Sequence, residues 1–257
     1  MRFIFIGSGA AFVKDPHNYQ SNILLQSPSK ELLLIDCGTD ARRALNELNL
    51  THRDIANVYI SHLHADHAGG LEWLAFTRKF DQQKCSKPNL YISKRFTAPL
   101  WDHTLSGGLT SLSDEPASLS AFFQVYSIPE GQGFQWQNIN FQLIKSQHIL
   151  SNFAEMPSYG LFFQVNNRWI YLTTDAQFQL ENFLPYYRQA SLIFQDCETS
   201  AHPSGVHAHY QQLKALDPSI KSKMWLYHYN CDHDGLPDAV ADGFCGFVKP
   251  RQVFELG

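Results

Sequence analysis

The sequence predicts an α/β protein: two packed sheets with helices on the outside. Three observations lead there. Short apolar runs with the character of buried strands recur along the whole 257-residue chain. Segments with apolar residues at helical spacing lie between them in both halves. No Pro/Gly-rich linker separates the halves, so their apolar faces must cover one another.

The elements follow in order. Arg2–Ile6 reads as a strand ending in the glycine turn Gly7-Ser8-Gly9. That turn lacks the third glycine and the lysine of a phosphate loop, so it is a turn and not a nucleotide cradle. SNILLQS (21–27) and ELLLIDCG (31–38) read as a strand pair joined by PSK. Residues 39–50 read as a helix with Thr39 as its N-cap. NVYIS (57–61) is a strand, and 69–80 a helix whose apolar face is Leu71, Leu74, Ala75 and Phe80. NLYIS (89–93) is a strand, and 105–120 a short helix plus loop. The second half offers strands at 122–128, 139–146, 159–165, 168–174, 191–196 and 223–229, with a helix at about 206–216 before the last.

Composition narrows the function classes. Hydrophobic residues make up 44% and charged residues 17%, which fits a packed core and not disorder. The net charge of −4 gives no basic surplus for a nucleic-acid partner. Cys37, Cys85, Cys197, Cys231 and Cys245 are scattered and odd in number, against a disulfide framework and for a reducing compartment. No apolar stretch approaches the roughly 18 residues of a membrane span. A cytoplasmic protein without membrane partners is expected.

The chemistry concentrates in HLHADH, residues 62–67. His62 and His64 point the same way if the chain is still extended there. Asp66 and His67 follow where the loop turns into a helix. Imidazole nitrogens and carboxylate oxygens are ligands for zinc and related divalent ions. Four such groups are too many for one tetrahedral site with an open position, and they suit two adjacent metals. Further ligand types stand directly after apolar strands: His148 after NFQLIKSQ, Asp175 after WIYLTT, and His228 within KMWLYHYN.

HxHxDH followed by His, Asp and His at successive strand ends resembles the metallo-β-lactamase superfamily. The resemblance covers nearly the whole chain, from IFIGSGAAF and LLLIDCG to WLYHY. It implies a four-layer αββα metallo-β-lactamase-like sandwich over 1–257, a single hydrolase domain. It also implies that His62, His64 and His148 hold one metal, that Asp66, His67 and His228 hold a second, and that Asp175 bridges them. Flavo-diiron oxidoreductases carry a glutamate where His64 stands, and the common β-lactamases a cysteine where Asp175 stands. The chain therefore resembles the branch of ribonuclease Z and related phosphodiesterases. Two divalent ions are expected, zinc by the histidines, with manganese or iron also compatible with two carboxylates. Dimers are common in this branch.

Two such metals would lower the pKa of a bridging water, with Asp66 placed to orient it or take its proton. In ribonuclease Z a histidine of a His-Glu-Ala-Thr motif is assigned as proton donor. Here the matching strand end reads IFQDCET (193–199), with no histidine. His202, His207 and His209 lie nearby, and His207 and His209 are the catalytic candidates. Ribonuclease Z also inserts a tRNA-gripping arm between the positions of His148 and Asp175, but the two stand only 27 positions apart here. The expected substrate is a small phosphodiester, a cyclic or short nucleotide, and not a large nucleic acid. The alternative is a carboxylic ester, thioester or lactone on the same centre. A tRNA 3′-processing endonuclease and a non-catalytic metal-binding sensor are the remaining readings. Trp73, the aromatics of 153–163, and Lys94, Arg95 and Lys145 are expected as core packing and solvated surface.

Overall fold

The computed structural model describes residues 1–113, 115–230 and 235–256. The first half contributes β1 (Arg2–Phe5), β2 (Ile23–Gln26), β3 (Leu32–Ile35), β4 (Asn57–Ile60), β5 (Asn89–Ser93) and β6 (Gln124–Ile128). The second contributes β7 (Gly133–Trp136), β8 (Ile139–Leu150), β9 (Glu155–Val165), β10 (Arg168–Leu172), β11 (Leu192–Asp196), β12 (Met224–Tyr227) and β13 (Gly246–Phe247). A last strand, β14 (Val253–Glu255), returns to the first sheet. The sheets run β14-β1-β2-β3-β4-β5-β6 and β13-β12-β11-β10-β9-β8-β7.

Each sheet is antiparallel on one side and parallel on the other. β3 to β6 pair in parallel, as do β10 to β13. Strands covered on both faces read as continuous apolar runs, and β3 and β4 are buried at every residue. Phe3, Phe5, Tyr59, Phe141, Phe163 and Phe194 fill the space between the sheets. Phe3 stacks on Phe194 at 5.0 Å and Phe141 packs on Phe163 at 4.7 Å. Helices Ala41–Glu47 and Leu71–Lys79 pack into this same core from the first sheet's side. Helices Leu180–Gln189 and Tyr210–Lys214 cover the second sheet around Tyr171, Phe183, Tyr187 and Leu213. The result is the expected αββα sandwich.

Several local expectations are corrected. Asp40, not Thr39, holds the N-cap position of the first helix, and the Thr39 hydroxyl donates to Gln20 Oε1 instead. Phe80 is 65% exposed, and the buried position near that helix end is Arg78. Its guanidinium donates to the carbonyls of His52, Arg53, Ile55 and Ser86, which makes burial of the charge tolerable. The helix expected at about 206–216 forms only over Tyr210–Lys214. A helical run from Lys94 continues through a π-helical turn, Leu100–Leu105, to Leu109. β7, β13 and β14 are short edge strands held by their neighbours, and the apolar pattern of the sequence does not mark them. Cys37, Cys85, Cys197 and Cys245 are free thiols; Cys231 lies outside the described residues. Among the described residues no helix is long and apolar enough to cross a membrane.

Candidate metal centre

The polar residues expected from the sequence gather where the parallel strands of both sheets end. Ligand sites outside the carboxyl ends of such strands follow from the geometry of α/β sheets. β4 delivers Ser61 and His62, and the turn into helix Ala65–Ala68 delivers His64, Asp66 and His67. β10, β11 and β12 are followed or ended by Asp175, Asp196 and His228. The two sheets are tied here: Tyr159 N donates to Ser61 O at 3.2 Å, and the Tyr59 hydroxyl donates to Tyr159 O at 2.6 Å.

Three strand-end residues take left-handed backbone, Asp36 at φ 61°, Thr174 at 54° and His228 at 64°. That conformation costs energy in non-glycine residues and persists where the surroundings enforce it. His148 is presented differently. Between Gln147, paired with Pro157, and Ile149, paired with Met156, the register shifts and leaves His148 as the extra residue. A bulge of this kind re-aims a side chain. His148 thus lies inside β8 and not just past a strand.

The donors form three groups around Asp175; one of them, Asp175, Asp196, His207 and His228, overlaps the second of the two described next. In the first, His64 Nδ1 lies 3.1 Å from His62 Nε2 and 3.0 Å from His148 Nε2. Asp175 Oδ2 stands 3.8 and 3.7 Å from those two Nε2 atoms. In the second, His67 Nε2 is 3.1 Å from Asp66 Oδ2 and 3.2 Å from Asp175 Oδ1. His228 Nε2 is 3.4 Å from each of the same two oxygens. Donors at zinc distances of about 2.0–2.1 Å from a tetrahedral centre stand about 3.3 Å apart, so both sets have the spacing of a coordination shell.

A further observation tests whether the residues fit cations. His67 Nε2 and Asp175 Oδ1, both buried, have no hydrogen-bond partner. Orphaned buried groups of this kind are costly unless a ligand takes them. The outward ring nitrogens of four histidines are held so that the inward ones point into the donor groups, the usual arrangement of metal-ligating histidines. His62 Nδ1 contacts Ser61 Oγ at 3.1 Å, and His148 Nδ1 donates to Val206 O at 2.9 Å. His67 Nδ1 meets Asp36 Oδ2 at 2.7 Å. His228 Nδ1 lies 3.2 Å from Asp196 Oδ1, in ion-pair contact though off the angle of a hydrogen bond. The residues present fit divalent cations.

The electrostatics separate the groups. Burial pushes the imidazoles of His62 and His148 down, and that of His64 down to about 4, so all three are neutral. Burial would lower His67 and His228 too, but the carboxylates outweigh it. Asp175, Asp66 and Asp36 hold His67 well above its ordinary value, and Asp175, Asp196 and Asp66 lift His228 to about 10. Burial opposes the charge on Asp66 and Asp175, yet His67 and His228 keep both well below the carboxylate range.

His207 and His209 part company. His207 Nδ1 donates to Asp196 Oδ2 at 2.8 Å and stands 3.9 Å from Asp175 Oδ2. Against burial, Asp196 and Asp175 raise its pKa. His209 is not brought to the centre. Its Nδ1 accepts from Gln211 N as the cap of helix Tyr210–Lys214, and its Nε2 donates to Ser200 O at 2.9 Å. The catalytic expectation for His209 is corrected to a capping role. His202 belongs to none of the ligand groups found among the described residues.

Two residues that matter were not singled out. Asp36 accepts from Ser61 N, Ser61 Oγ and His67. Asp196 accepts from Ala176 N as well as His207. Both are polar residues ending apolar runs, the signal that marked Asp175. The glycine turn has a structural job: a Cβ on Gly7 would stand 2.2 Å from Gln20 O, and Ser8 O accepts from His228 N at 2.8 Å.

The centre opens on a cavity of about 410 Å³ lined by Ala11, Phe12, Gln20, Val206 and the inward histidines and aspartates. Of the other candidates, Tyr159, Phe162 and Phe163 are buried and Trp73 packs on the core, while Phe153 is 97% exposed. Arg95 pairs with Glu155 at 3.3 Å and Lys145 with Glu130 at 3.5 Å. Between His148 and Asp175 the chain forms the end of β8, then β9 and β10, with only residues 151–154, 166–167 and 173–174 outside those strands.

Comparison with known proteins bears on this geometry. The family model described as anti-Pycsar protein Apyc1 matches residues 1–254. An anti-Pycsar protein Apyc1 of Paenibacillus harenae is 35% identical over 258 residues, covering 100% of both chains. Among solved structures, the metallo-β-lactamase fold protein YhfI from Bacillus subtilis superposes with a TM-score of 0.72 at 18% identity, covering 98% of both chains. A diphosphatase from the PhnP family superposes at 0.73 and 17% identity, covering 99% of this chain and 97% of that one. The fold is that of the metallo-β-lactamase superfamily.

Proposed function

The chain belongs to the anti-Pycsar protein Apyc1 family, and from that premise we propose that it is a dinuclear metal-dependent phosphodiesterase acting on cyclic nucleotides. The observation that carries this reading is the division of Asp175, whose two oxygens face two separate donor sets. His62, His64 and His148 would hold one cation, Asp66, His67 and His228 the other, and Asp175 both. When bound, the cations acidify water for attack and neutralise charge on phosphoryl oxygens.

The remaining work falls to the chain. Asp66, itself one of the second donor set, would also orient the attacking water and accept its proton. His207, whose pKa is raised by its bond to Asp196, lines the same cavity. It donates its proton to the ribose oxygen as the P–O bond breaks, so the ring opens to a monophosphate and no charge is left uncompensated. The short hairpin in place of a tRNA-gripping arm, and the acidic balance of the chain, support a small substrate.

Zinc- or manganese-loaded protein assayed on a panel of 3′,5′-cyclic nucleotides and on bis-para-nitrophenyl phosphate tests the proposal. Turnover with release of nucleoside monophosphate is expected. A metal-loaded protein that turns over none of these, or that acts on thioesters or lactones instead, overturns it.

A further inference from the structure

The cavity lining divides by chemistry. Its polar lining, called the floor below, is Gln20 with His64, Asp66, His148, Asp175, His207 and His228. Its wall carries Ala11, Phe12, Ala65 and Val206. Phe12 is 84% exposed, whereas Phe3, Phe5, Phe163 and Phe194 are fully buried. It belongs to neither core cluster, so its ring forgoes the stabilisation that burial supplies.

The ring is nevertheless carried on a fixed backbone. Val13 N donates to Ala10 O at 3.1 Å, closing a four-residue turn with Ala11 and Phe12 at its centre. Ala10 N donates to Tyr229 O and Gly9 N to Tyr19 O, each at 3.0 Å. Val13 packs where a Cβ on Gly9 would meet it at 2.6 Å, so Gly9 is what lets the turn close this tightly. Tyr229 directly follows His228, so the turn bearing Phe12 is bonded to the same strand end as a donor of the second set. An aromatic face is thus held at the mouth of a polar floor. A ligand that matches both carries an anionic phosphodiester and a flat ring.

We propose that Phe12 is the platform on which the nucleobase stacks while the phosphodiester lies on the histidine–aspartate floor. The proposal rests on the phosphodiesterase reading above and adds the recognition element for the base. Base–aromatic stacking contributes enough binding free energy to be read in KM.

The test compares a cyclic nucleotide with its base-free analogue, 1-O-methyl-ribose 3′,5′-cyclic phosphate, on metal-loaded wild type, Phe12→Ala and Phe12→Trp. Phe12→Ala is expected to raise KM for the cyclic nucleotide about tenfold or more. The preference for nucleotide over base-free analogue, as a ratio of kcat/KM values, should fall by the same factor, and Phe12→Trp should restore it. A 2-aminopurine cyclic nucleotide gives a second readout: its emission should be quenched by wild type and Phe12→Trp and not by Phe12→Ala. An unchanged ratio overturns the proposal while leaving the hydrolase intact. An equal loss on both substrates, with a shift in size-exclusion elution, also overturns it and makes Phe12 a subunit contact. Quenching without hydrolysis of either substrate sinks the phosphodiesterase and keeps the stack. Neither quenching nor hydrolysis by wild type overturns both.

Discussion

His62, His64 and His148 bring three neutral imidazoles to one oxygen of Asp175, whereas Asp66, His67 and His228 bring a second carboxylate and two proton-holding imidazoles to the other. The spacing within the groups is nearly the same; the charge is not. The first resembles a ready-made neutral coordination shell. The second is a buried anionic pair whose charge is balanced by protons on its own histidines. One polypeptide, in one cavity, has two donor groups of different electrostatic character.

The contrast can be broken most severely at the residue the groups share. Asp175→Ala removes an oxygen from each set, and we expect kcat to fall by about a thousandfold or more, with both ions lost. Metal content by mass spectrometry alongside the cyclic-nucleotide assay reads both, and full stoichiometry in the variant would show that neither group needs it. Single ligands come next. His148→Ala should lower bound metal by about one ion per chain from the first group, and His228→Ala by about one from the second. Loss of both ions in either variant would mean that the groups fill only together.

A gentler change acts on one group through its support. Asp36→Asn weakens the grip on His67 and should cost about ten- to hundredfold in affinity for the second ion, leaving the first unchanged. Chelator competition distinguishes the two, and equal weakening of both would place Asp36 as a general structural residue. The smallest effect sharpens the electrostatic difference. At neutral pH the lowered pKa of the first group leaves it without protons to give up, while the raised pKa values of His67 and His228 mean that an ion must displace protons there. Binding to the second group therefore strengthens as pH rises toward about 10, the value to which His228 is lifted. Calorimetry in buffers of different ionisation enthalpy should show proton release for one of the two ions; release for neither would remove the contrast.

Much of this centre was legible because the chain supplies four ligand-type side chains within HLHADH. The sandwich was legible for a related reason: strands buried on both faces leave unbroken apolar runs. What escaped depends on pairing across distance. The bulge at His148 exists only because β8 meets β9 with a shifted register. Asp36 reads as one more strand-end aspartate until Ser61 and His67, 25 and 31 residues on, fold back against it. His207 and His209 are two residues apart and chemically identical. Which one faces the cavity was settled by where the helix begins, since its N-cap claims His209. Phe80 stays exposed, while Arg78 is buried with its guanidinium satisfied by four distant or loop carbonyls that no helical spacing reveals.

The donors of each group are also divided between the two sheets. His62 and His64 come from the first sheet and His148 and Asp175 from the second; Asp66 and His67 come from the first and Asp175 and His228 from the second. A folding intermediate that has built only one sheet therefore holds half of each shell, and loops of up to 162 residues must close before either shell is complete. A cation held by either group would act as a rivet set last. It would bind tightly only the docked sandwich, and the sheets would have to release it before they part, which would tie the unfolding rate of the protein to the off-rate of the ion.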